Sequence, residues 1–278
     1  MFASWERGIQ RGSMVRVLFI GDIVGRPGRT AVKELLADYR TENAIDIVIA
    51  NGENAAAGSG IHAPMARDIL NWGVDGITLG DHCWDQRGFT REIDEVEGLC
   101  RPANLPNGVP GKSYLVVERN GFRLGVFTVL GRQFMKISSD DLFHSAQTML
   151  EEHGKEADAW LVEVHAETTS EKIAMGWFLD GRASAVVGTH THIPTADCRV
   201  LPRGTAYITD VGMTGPYESV LGRSIQPVVS RFLDGLPRRF DVAEKDVRLC
   251  GVVIEFVEGG RAQSIERVEL LLPESASA

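Results

Sequence analysis

The chain has 278 residues, of which 44% are hydrophobic and 24% are charged, and its formal net charge is −9 at pH 7. This length suits one large α/β domain or two small ones, and the composition is that of a globular protein without an apolar run of membrane-spanning length. The acidic charge excludes a broad basic face for nucleic acid, although a nucleotide bound through metal ions stays compatible with it.

Residues 1–13, MFASWERGIQRGS, are interpreted as an N-terminal extension because they lack the continuous apolar core of a signal peptide. Residues 14–278 are expected to form a single domain, since they contain no internal repeat and no Pro/Gly-rich linker. With no export signal we expect a cytoplasmic protein. Its four cysteines, none in a CxxC pair, are expected to be free thiols.

Short β-rich runs alternate with helical patterns in the front half of the chain, which predicts βαβ units and a mostly parallel sheet. The run at 15–21 is the first predicted strand, and the segment 31–39 that follows has apolar side chains at the spacing of an amphipathic helix. Further buried strands are predicted at 45–50, 77–79, 159–164 and 185–187.

Two glycine-containing turns predict antiparallel hairpins beside the parallel core. Asn120-Gly121 separates the runs 114–118 and 123–130, and Gly259-Gly260 separates the run 252–257 from the last strand. The indicated fold class is therefore α/β, with a mostly parallel core and antiparallel additions.

Polar residues follow the predicted strands at the points where the chain turns. The carboxylate and imidazole residues in these positions are Asp22, Glu53, Asp81, His82, His165, His190 and His192. Ligands of open α/β sheets bind at the carboxyl ends of the strands, so we expect these side chains to converge on one crevice. A lone Asp after a strand is more often a turn or cap residue, but five strand ends that each carry such a residue favour a common site.

Carboxylates together with imidazoles are typical ligands of zinc, manganese or iron, whereas a calcium site contains only oxygen ligands. Three carboxylates and three imidazoles exceed the needs of one ion, and two ions roughly 3.5–4 Å apart are the usual arrangement in phosphatases and nucleases. The pattern predicts a two-metal phosphoesterase in which His82, beside the metal ligands, is the proton donor. His62, His144 and His153 have no such partners in the sequence and are interpreted as surface or structural residues.

Eight segments distributed from about Val15 to Leu270 carry a family resemblance. They are GDIVGRPGR (21–29), NGENAAAGSGIH (51–62), LGDHCWD (79–85), RPANLP (101–106), LGRQFM (130–135), VEVHAETTSEKIAMGW (162–177), VGTHTHIPTAD (187–197) and TDVGMTGPYESVLG (209–222). With these motifs the chain resembles the YmdB-like bacterial metallophosphoesterases, a branch of the calcineurin-like superfamily. The resemblance implies a four-layer αββα metallophosphoesterase sandwich, a dinuclear iron or manganese site, and hydrolysis of 2′,3′-cyclic nucleotides.

Carried over residue by residue, the resemblance implies two ligand sets that share one bridging carboxylate. The first metal would take Asp22, Glu53, Asn54 and His192, and the second would take Glu53, Asp81, His165 and His190. Val24 stands where the wider superfamily has a histidine two residues after the first aspartate. Gly80-Asp81-His82 stands where the family usually has GNH, so an acid replaces a neutral amide ligand. We expect Asp81 to weaken the Lewis acidity of the site or to shift its metal preference.

Three functions are compatible with such a site. The first is a phosphodiesterase for 2′,3′-cyclic nucleotides, for which the resemblance favours the 3′-nucleotide as product. The second is a phosphomonoesterase on the same site, and the third is a regulatory nucleotide- or RNA-binding protein with incidental hydrolysis. The expected partner is a nucleotide or a short RNA-derived substrate, no membrane partner is expected, and self-association is left open. The segments 58–62 and 168–177 follow ligand strands; they either shape the substrate pocket or only pack as a loop and a helix cap.

Overall fold

The computed structural model describes residues 14–257 and 259–273 of the chain. The predicted extension at residues 1–13 lies outside the described residues, and the single-domain organisation of residues 14–278 stays a prediction. Thirteen strands occur in the described part of the chain: β1 (Val15–Ile20), β2 (Ile47–Asn51), β3 (Gly76–Thr78), β4 (Leu99–Cys100), β5 (Leu115–Arg119), β6 (Phe122–Leu130), β7 (Ala159–His165), β8 (Ala185–Thr189), β9 (Arg199–Val200), β10 (Ala206–Ile208), β11 (Gly215–Pro216), β12 (Val247–Phe256) and β13 (Ala262–Leu271).

The same described residues form six α-helices and two short 3₁₀ segments, at Ile93–Glu95 and Gly154–Glu156. The α-helices are α1 (Gly25–Glu42), α2 (Ala63–Asn71), α3 (Phe89–Glu92), α4 (Leu142–His153), α5 (Thr169–Leu179) and α6 (Ile225–Asp234). Among the described helices, none combines the length and the apolar character that crossing a bilayer requires.

The strands form two mixed sheets whose central pairs are parallel. The first sheet has the order β11-β12-β1-β2-β3-β4, with β13 also paired to β12, and the second has the order β5-β6-β7-β8-β10-β9. Strands β1 to β4 pair in parallel, as do β6, β7, β8 and β10, whereas the outer pairs are antiparallel. Parallel pairing places the carboxyl ends of β1, β2 and β3 along one edge of the first sheet, and those of β7 and β8 along one edge of the second.

Three hydrophobic clusters hold the layers together. One lies between the sheets and includes Phe19 and Ile49 from the first sheet and Val126 and Val187 from the second. A second cluster joins α1 and α2 to the outer face of the first sheet, and a third joins α4 and α5 to the outer face of the second. The helix, sheet, sheet, helix order confirms the predicted four-layer αββα sandwich with a mostly parallel core and antiparallel additions.

The five strands predicted in the parallel core correspond to β1, β2, β3, β7 and β8, with ends shifted by one or two residues. The predicted helix at 31–39 is only the middle of α1, which already begins at Gly25. Pro27 is compatible with this earlier start because the first turn of a helix needs no backbone N–H donor from it. Asn120 and Gly121 have φ of 52° and 79°, as a type I′ hairpin turn requires, and both predicted hairpins are confirmed as antiparallel pairs.

A cavity in the hydrophobic cluster between the sheets is expected to lower the stability of the protein strongly. Phe19→Ala should lower the free energy of unfolding by about 3–5 kcal/mol, because the Phe19 ring is fully buried between two rigid sheets. Val116→Ala on edge strand β5, where the side chain is 39% exposed, is the control and should stay within about 0.5 kcal/mol. Urea unfolding followed by circular dichroism measures both, and equal losses in the two variants would contradict this layer assignment.

Candidate metal centre

Four residues from both sheets meet at the carboxyl edge of the sandwich. Glu53, Asp81, His165 and His190 each offer one ligand atom, and these atoms lie within 4.8 Å of one another. His165 Nε2 lies 3.1 Å from Glu53 Oε1 and 3.0 Å from Asp81 Oδ1. His190 Nδ1 lies 3.2 Å from the same Asp81 oxygen and 3.1 Å from His165 Nε2. This set coincides with the ligands that the family resemblance implies for the second metal.

The remaining predicted ligands lie beside this cluster. Asp22 Oδ1 is 3.9 Å from His165 Nδ1, and Asp22 Oδ2 accepts a hydrogen bond from the backbone N–H of His190. His192 Nε2 lies 3.2 Å from the amide oxygen of Asn54. Asn54 follows Glu53 directly in the chain, and Glu53 belongs to both predicted ligand sets. The assignment of all seven residues as ligands stays a prediction.

The turn after β3 brings Asp81 against its neighbours only because residue 80 has no side chain. A Cβ at Gly80 would collide with the carboxylate of Glu53 and with the imidazole of His165. Any larger residue would therefore push β3 away from β7 at the point where the four ligand atoms meet.

The turn after β8 has an unusual backbone at both of its histidines. His190 and His192 have φ of 90° and 64°, a region that costs a residue with a Cβ of order 1–3 kcal/mol. In this conformation His190 faces Asp81 and His165, while His192 faces Asn54. Strain of this kind persists only where surrounding contacts determine the conformation, which indicates that the neighbours of this turn are part of the site.

The charges at this edge suit a cation. Burial raises the pKa of Asp22 well above its ordinary value, with His165 opposing and Glu53 adding to the rise. Burial would lower the pKa of His165, but the charge of Glu53 and the hydrogen bond to Asp81 outweigh it and raise this pKa well above its ordinary value. A proton on His165 thus balances part of the carboxylate charge, and a metal ion could take over that role.

Two buried side-chain oxygens of the described residues, Asp22 Oδ1 and Thr78 Oγ1, have no hydrogen-bond partner, and the first belongs to a predicted ligand. Asp22 is fully buried, and its Oδ1 atom accepts no hydrogen bond there, although an unsatisfied buried carboxylate oxygen is costly. This oxygen lies 3.9 Å from His165 Nδ1. An unsatisfied oxygen next to mixed carboxylate and imidazole donors fits borderline metals such as manganese, iron or zinc.

A buried hydrogen-bond chain fixes the orientation of His165. The hydroxyl of Thr189 donates to Glu163 Oε1 at 2.7 Å, so it accepts from His165 Nδ1–H at 2.8 Å and leaves Nε2 free as a ligand atom. Glu163 also accepts from Asn51 and Thr128, at 2.6 and 2.8 Å. Such chains behind a histidine ligand set its tautomer and its direction.

The predicted proton donor His82 lies at the exposed rim of the cluster. Its backbone N–H donates to Glu53 Oε2 at 3.1 Å, and its Nδ1 lies 2.7 Å from Asp85 and 3.3 Å from the hydroxyl of Ser59. Because Asp85 and Ser59 engage Nδ1, Nε2 is the ring nitrogen that can exchange a proton with a substrate. Ser59 belongs to the segment 58–62, so this segment contacts the candidate donor.

Several residues of the site are not predicted by the strand-end pattern. Glu163 is buried inside β7, two residues before His165, and this same-face spacing is the signal that could have found it. Asp210 follows β10 in the way that Asp22 follows β1, which is a signal of the same kind. Lys172 lies within α5, and a helical lysine gives no indication in the sequence that it is buried.

The other histidines lie outside the cluster. His62 precedes α2, and His144 lies in the first turn of α4. His153 stacks on Tyr114 and lies 2.8 Å from Glu156, so it has a packing role at the end of α4.

Comparison with known proteins places the chain among bacterial relatives over nearly its whole length. Residues 18–268 match the family described as YmdB-like protein. The 2′,3′-cyclic-nucleotide 2′-phosphodiesterase of Bacillus subtilis (strain 168) is 48% identical over 255 residues, which cover 91% of this chain and 96% of the relative.

Solved structures agree with this placement. The structure of a novel phosphatase from Mycoplasma pneumoniae is 31% identical with a TM-score of 0.87, covering 93% of this chain and 94% of that one. A 5′-nucleotidase precursor from Thermus thermophilus has a TM-score of 0.55 at 13% identity, covering 95% of this chain and 55% of that one. At this low identity the second likeness concerns the fold alone.

The hydrogen-bond chain behind His165 leads to a test of metal affinity. Thr189→Val should weaken Mn²⁺ binding by about 10–100-fold, because His165 Nδ1 loses the acceptor that directs Nε2 towards the cluster. Thr205→Val is the matched control, since it removes a buried hydroxyl that bonds only backbone groups, two carbonyls at 2.6 and 3.3 Å and one N–H at 2.9 Å. Isothermal titration calorimetry compares the two, and an equal loss of affinity in both variants would refute the role given to Thr189.

Proposed function

The chain belongs to the YmdB-like protein family, and we propose that it is a metal-dependent phosphodiesterase that hydrolyses 2′,3′-cyclic nucleotides. The observation that carries this proposal is the convergence of Glu53, Asp81, His165 and His190 within 4.8 Å at the carboxyl edge of both sheets. The name of the Bacillus subtilis relative supplies the substrate class. The cytoplasmic location expected from the sequence belongs to the same proposal.

The proposed centre contains two ions, iron or manganese, held by overlapping ligand sets. Asp22, Glu53, Asn54 and His192 would hold the first, and Glu53, Asp81, His165 and His190 the second. When bound, such ions act as Lewis acids that stabilise the negative charge developing on phosphoryl oxygens. Glu53 Oε2 accepts from His82 N–H and Glu53 Oε1 lies 3.1 Å from His165 Nε2, so the carboxylate that would bridge the ions is held from both sides.

The protein groups around this centre supply positioning and proton transfer. His82 would donate a proton from Nε2 to the leaving alkoxide oxygen, while Asp85 keeps the Nδ1–H side engaged. Cleavage of the ester at the 2′ oxygen would leave the phosphate on the 3′ oxygen, so the product would be a 3′-nucleotide. This direction of cleavage agrees with the name of the Bacillus subtilis relative.

A phosphomonoesterase on the same residues is the second candidate function. The name of the Mycoplasma pneumoniae relative, a phosphatase at 31% identity, favours it. Both activities use the same ligands, so the choice of ester distinguishes them: a monoesterase would prefer p-nitrophenyl phosphate to its bis ester.

The decisive experiment combines elemental analysis of protein purified without chelator with a hydrolysis assay on 2′,3′-cAMP before and after addition of Mn²⁺. We expect about two metal ions per chain and metal-dependent release of 3′-AMP. Metal binding without turnover would favour the alternative function, a nucleotide- or RNA-binding protein, over the enzyme. Absence of bound metal under all loading conditions would refute the proposal.

The position of His82 predicts a separation of turnover from metal content. His82→Ala should lower kcat by roughly 10²–10⁴-fold and leave the metal content unchanged, since the side chain lies at the rim and only its backbone N–H contacts a ligand. His144→Ala in α4 is the control and should keep full activity. If His82→Ala loses metal instead, His82 is a ligand or supports one.

The acidic residue at position 81 is expected to affect both metal binding and the turnover of substrate. Asp81 Oδ1 faces two histidines, and its charge would repel an anionic phosphodiester bound at the proposed centre. Asp81→Asn should therefore weaken metal retention and raise turnover per bound metal pair, or change the order of preference between Mn²⁺ and Fe²⁺. Metal content and kcat/KM are measured together, and a variant unchanged in both would contradict the role of this charge.

A further inference from the structure

We propose that Lys172 and Asp210 form a buried positioning pair that sets the conformation of the His190-Thr191-His192 turn and thereby the metal affinity of the site. Neither residue is a predicted ligand. Their role rests on the metal centre proposed above, because it acts through two of its histidines.

The contacts converge on the residue between the two histidines. Asp210 Oδ2 accepts from the Thr191 hydroxyl at 2.6 Å and from the Thr191 backbone N–H at 3.2 Å. Lys172 Nζ donates to the same Asp210 oxygen at 2.8 Å and to the Thr191 hydroxyl at 3.2 Å. The other Asp210 oxygen accepts from Gly212 N–H at 2.8 Å. Thr191 is thus held through its backbone and its side chain at once.

The hydrogen bonds of Asp210 and Lys172 to Thr191 act as a clamp that explains how the turn keeps its strained backbone. The histidines on both sides of Thr191 have positive φ, and a conformation of that kind needs neighbours that determine it. With Thr191 fixed by Asp210 and Lys172, the flanking imidazoles are directed towards Asp81 on one side and Asn54 on the other. Release of Thr191 would let either histidine relax away from its ligand position.

The burial of Lys172 restricts its ammonium group to contacts inside the protein. Lys172 and Asp210 are both 0% exposed, and the Lys172 ammonium group donates to Asp210 and Thr191. The stem of Lys172 passes the end of β8 where a glycine leaves room, since a Cβ at Gly188 would lie 2.8 Å from Lys172 Cδ. A buried ion pair adds little net stability compared with apolar packing, and this pair bonds both the hydroxyl and the backbone N–H of Thr191.

The test compares Mn²⁺ affinity with stability in three variants. Lys172→Met removes the charge, and Thr191→Val removes the clamped hydroxyl while the ion pair stays in place. The matched control is Asp75→Asn, because Asp75 is also a buried carboxylate paired with arginines, 3.0 Å from Arg40 and 2.6 Å from Arg119, but lies at the other end of the sheet. Calorimetric titration with Mn²⁺ and urea unfolding are measured for each.

Both site variants should bind Mn²⁺ about 10–100-fold more weakly, whereas Asp75→Asn should lose stability and keep its Mn²⁺ affinity. Wild-type affinity in Thr191→Val, or an equal loss of affinity in the Asp75→Asn control, overturns the positioning role. If Lys172→Met does not fold, Thr191→Val alone decides. A wild-type protein that binds no Mn²⁺ overturns the proposed metal centre first and this role with it, whereas normal binding in all variants overturns only the role of the pair.

Discussion

The structure depends on the concentration of negative charge at one buried edge of the sandwich. Asp22, Glu53 and Glu163 are almost completely buried, and Asp81 is only slightly exposed, within a few ångströms of His165. Carboxylates at such distances repel one another in a low-dielectric interior unless a cation or a proton lies between them. A proton on His165 compensates part of this negative charge. Hydrogen bonds from three neutral donors stabilise the charge of Glu163. The same repulsion would be relieved by a metal ion, which the cluster of Glu53, Asp81, His165 and His190 could hold.

Parallel pairing in both sheets makes this concentration possible. Each parallel strand delivers its following residues to the same edge, and packing of the two sheets face to face brings the two edges together. Glu53 and Asp81 come from the first sheet, whereas His165 and His190 come from the second. The ligand cluster therefore also joins the layers, and its geometry requires the apolar packing of Phe19 and its neighbours between the sheets.

The predicted ligands are positioned by residues outside the predicted ligand sets. Gly80 lets β3 and β7 approach, Thr189 and Glu163 orient His165, and Lys172 with Asp210 holds the turn that carries the other two histidines. Each of these contacts crosses from one element to another. These polar residues are as buried as the hydrophobic core, and they contact the predicted ligands or the turns that carry them.

The sequence by itself determined the fold class, the five strands of the parallel core and the type of chemistry, because strand periodicity and the residues after each strand are local properties of the chain. It also predicted the two hairpins, whose Asn120-Gly121 and Gly259-Gly260 turns are local signals. It predicted that Glu53, Asp81, His165 and His190 share one site, because parallel strands of one sheet end at the same edge; the packing of two sheets is what brings their two edges together.

Only the tertiary structure decided which partners these residues meet. The burial of Glu163 and Lys172, the pairing of Lys172 with Asp210 and the left-handed backbone of His190 and His192 arise from contacts between segments far apart in sequence. The start of α1 at Gly25 likewise follows from its position against the sheet, and local propensity alone does not favour a helix there. Long-range packing selects one arrangement among many that the local pattern allows, so these features had to be observed in the folded chain.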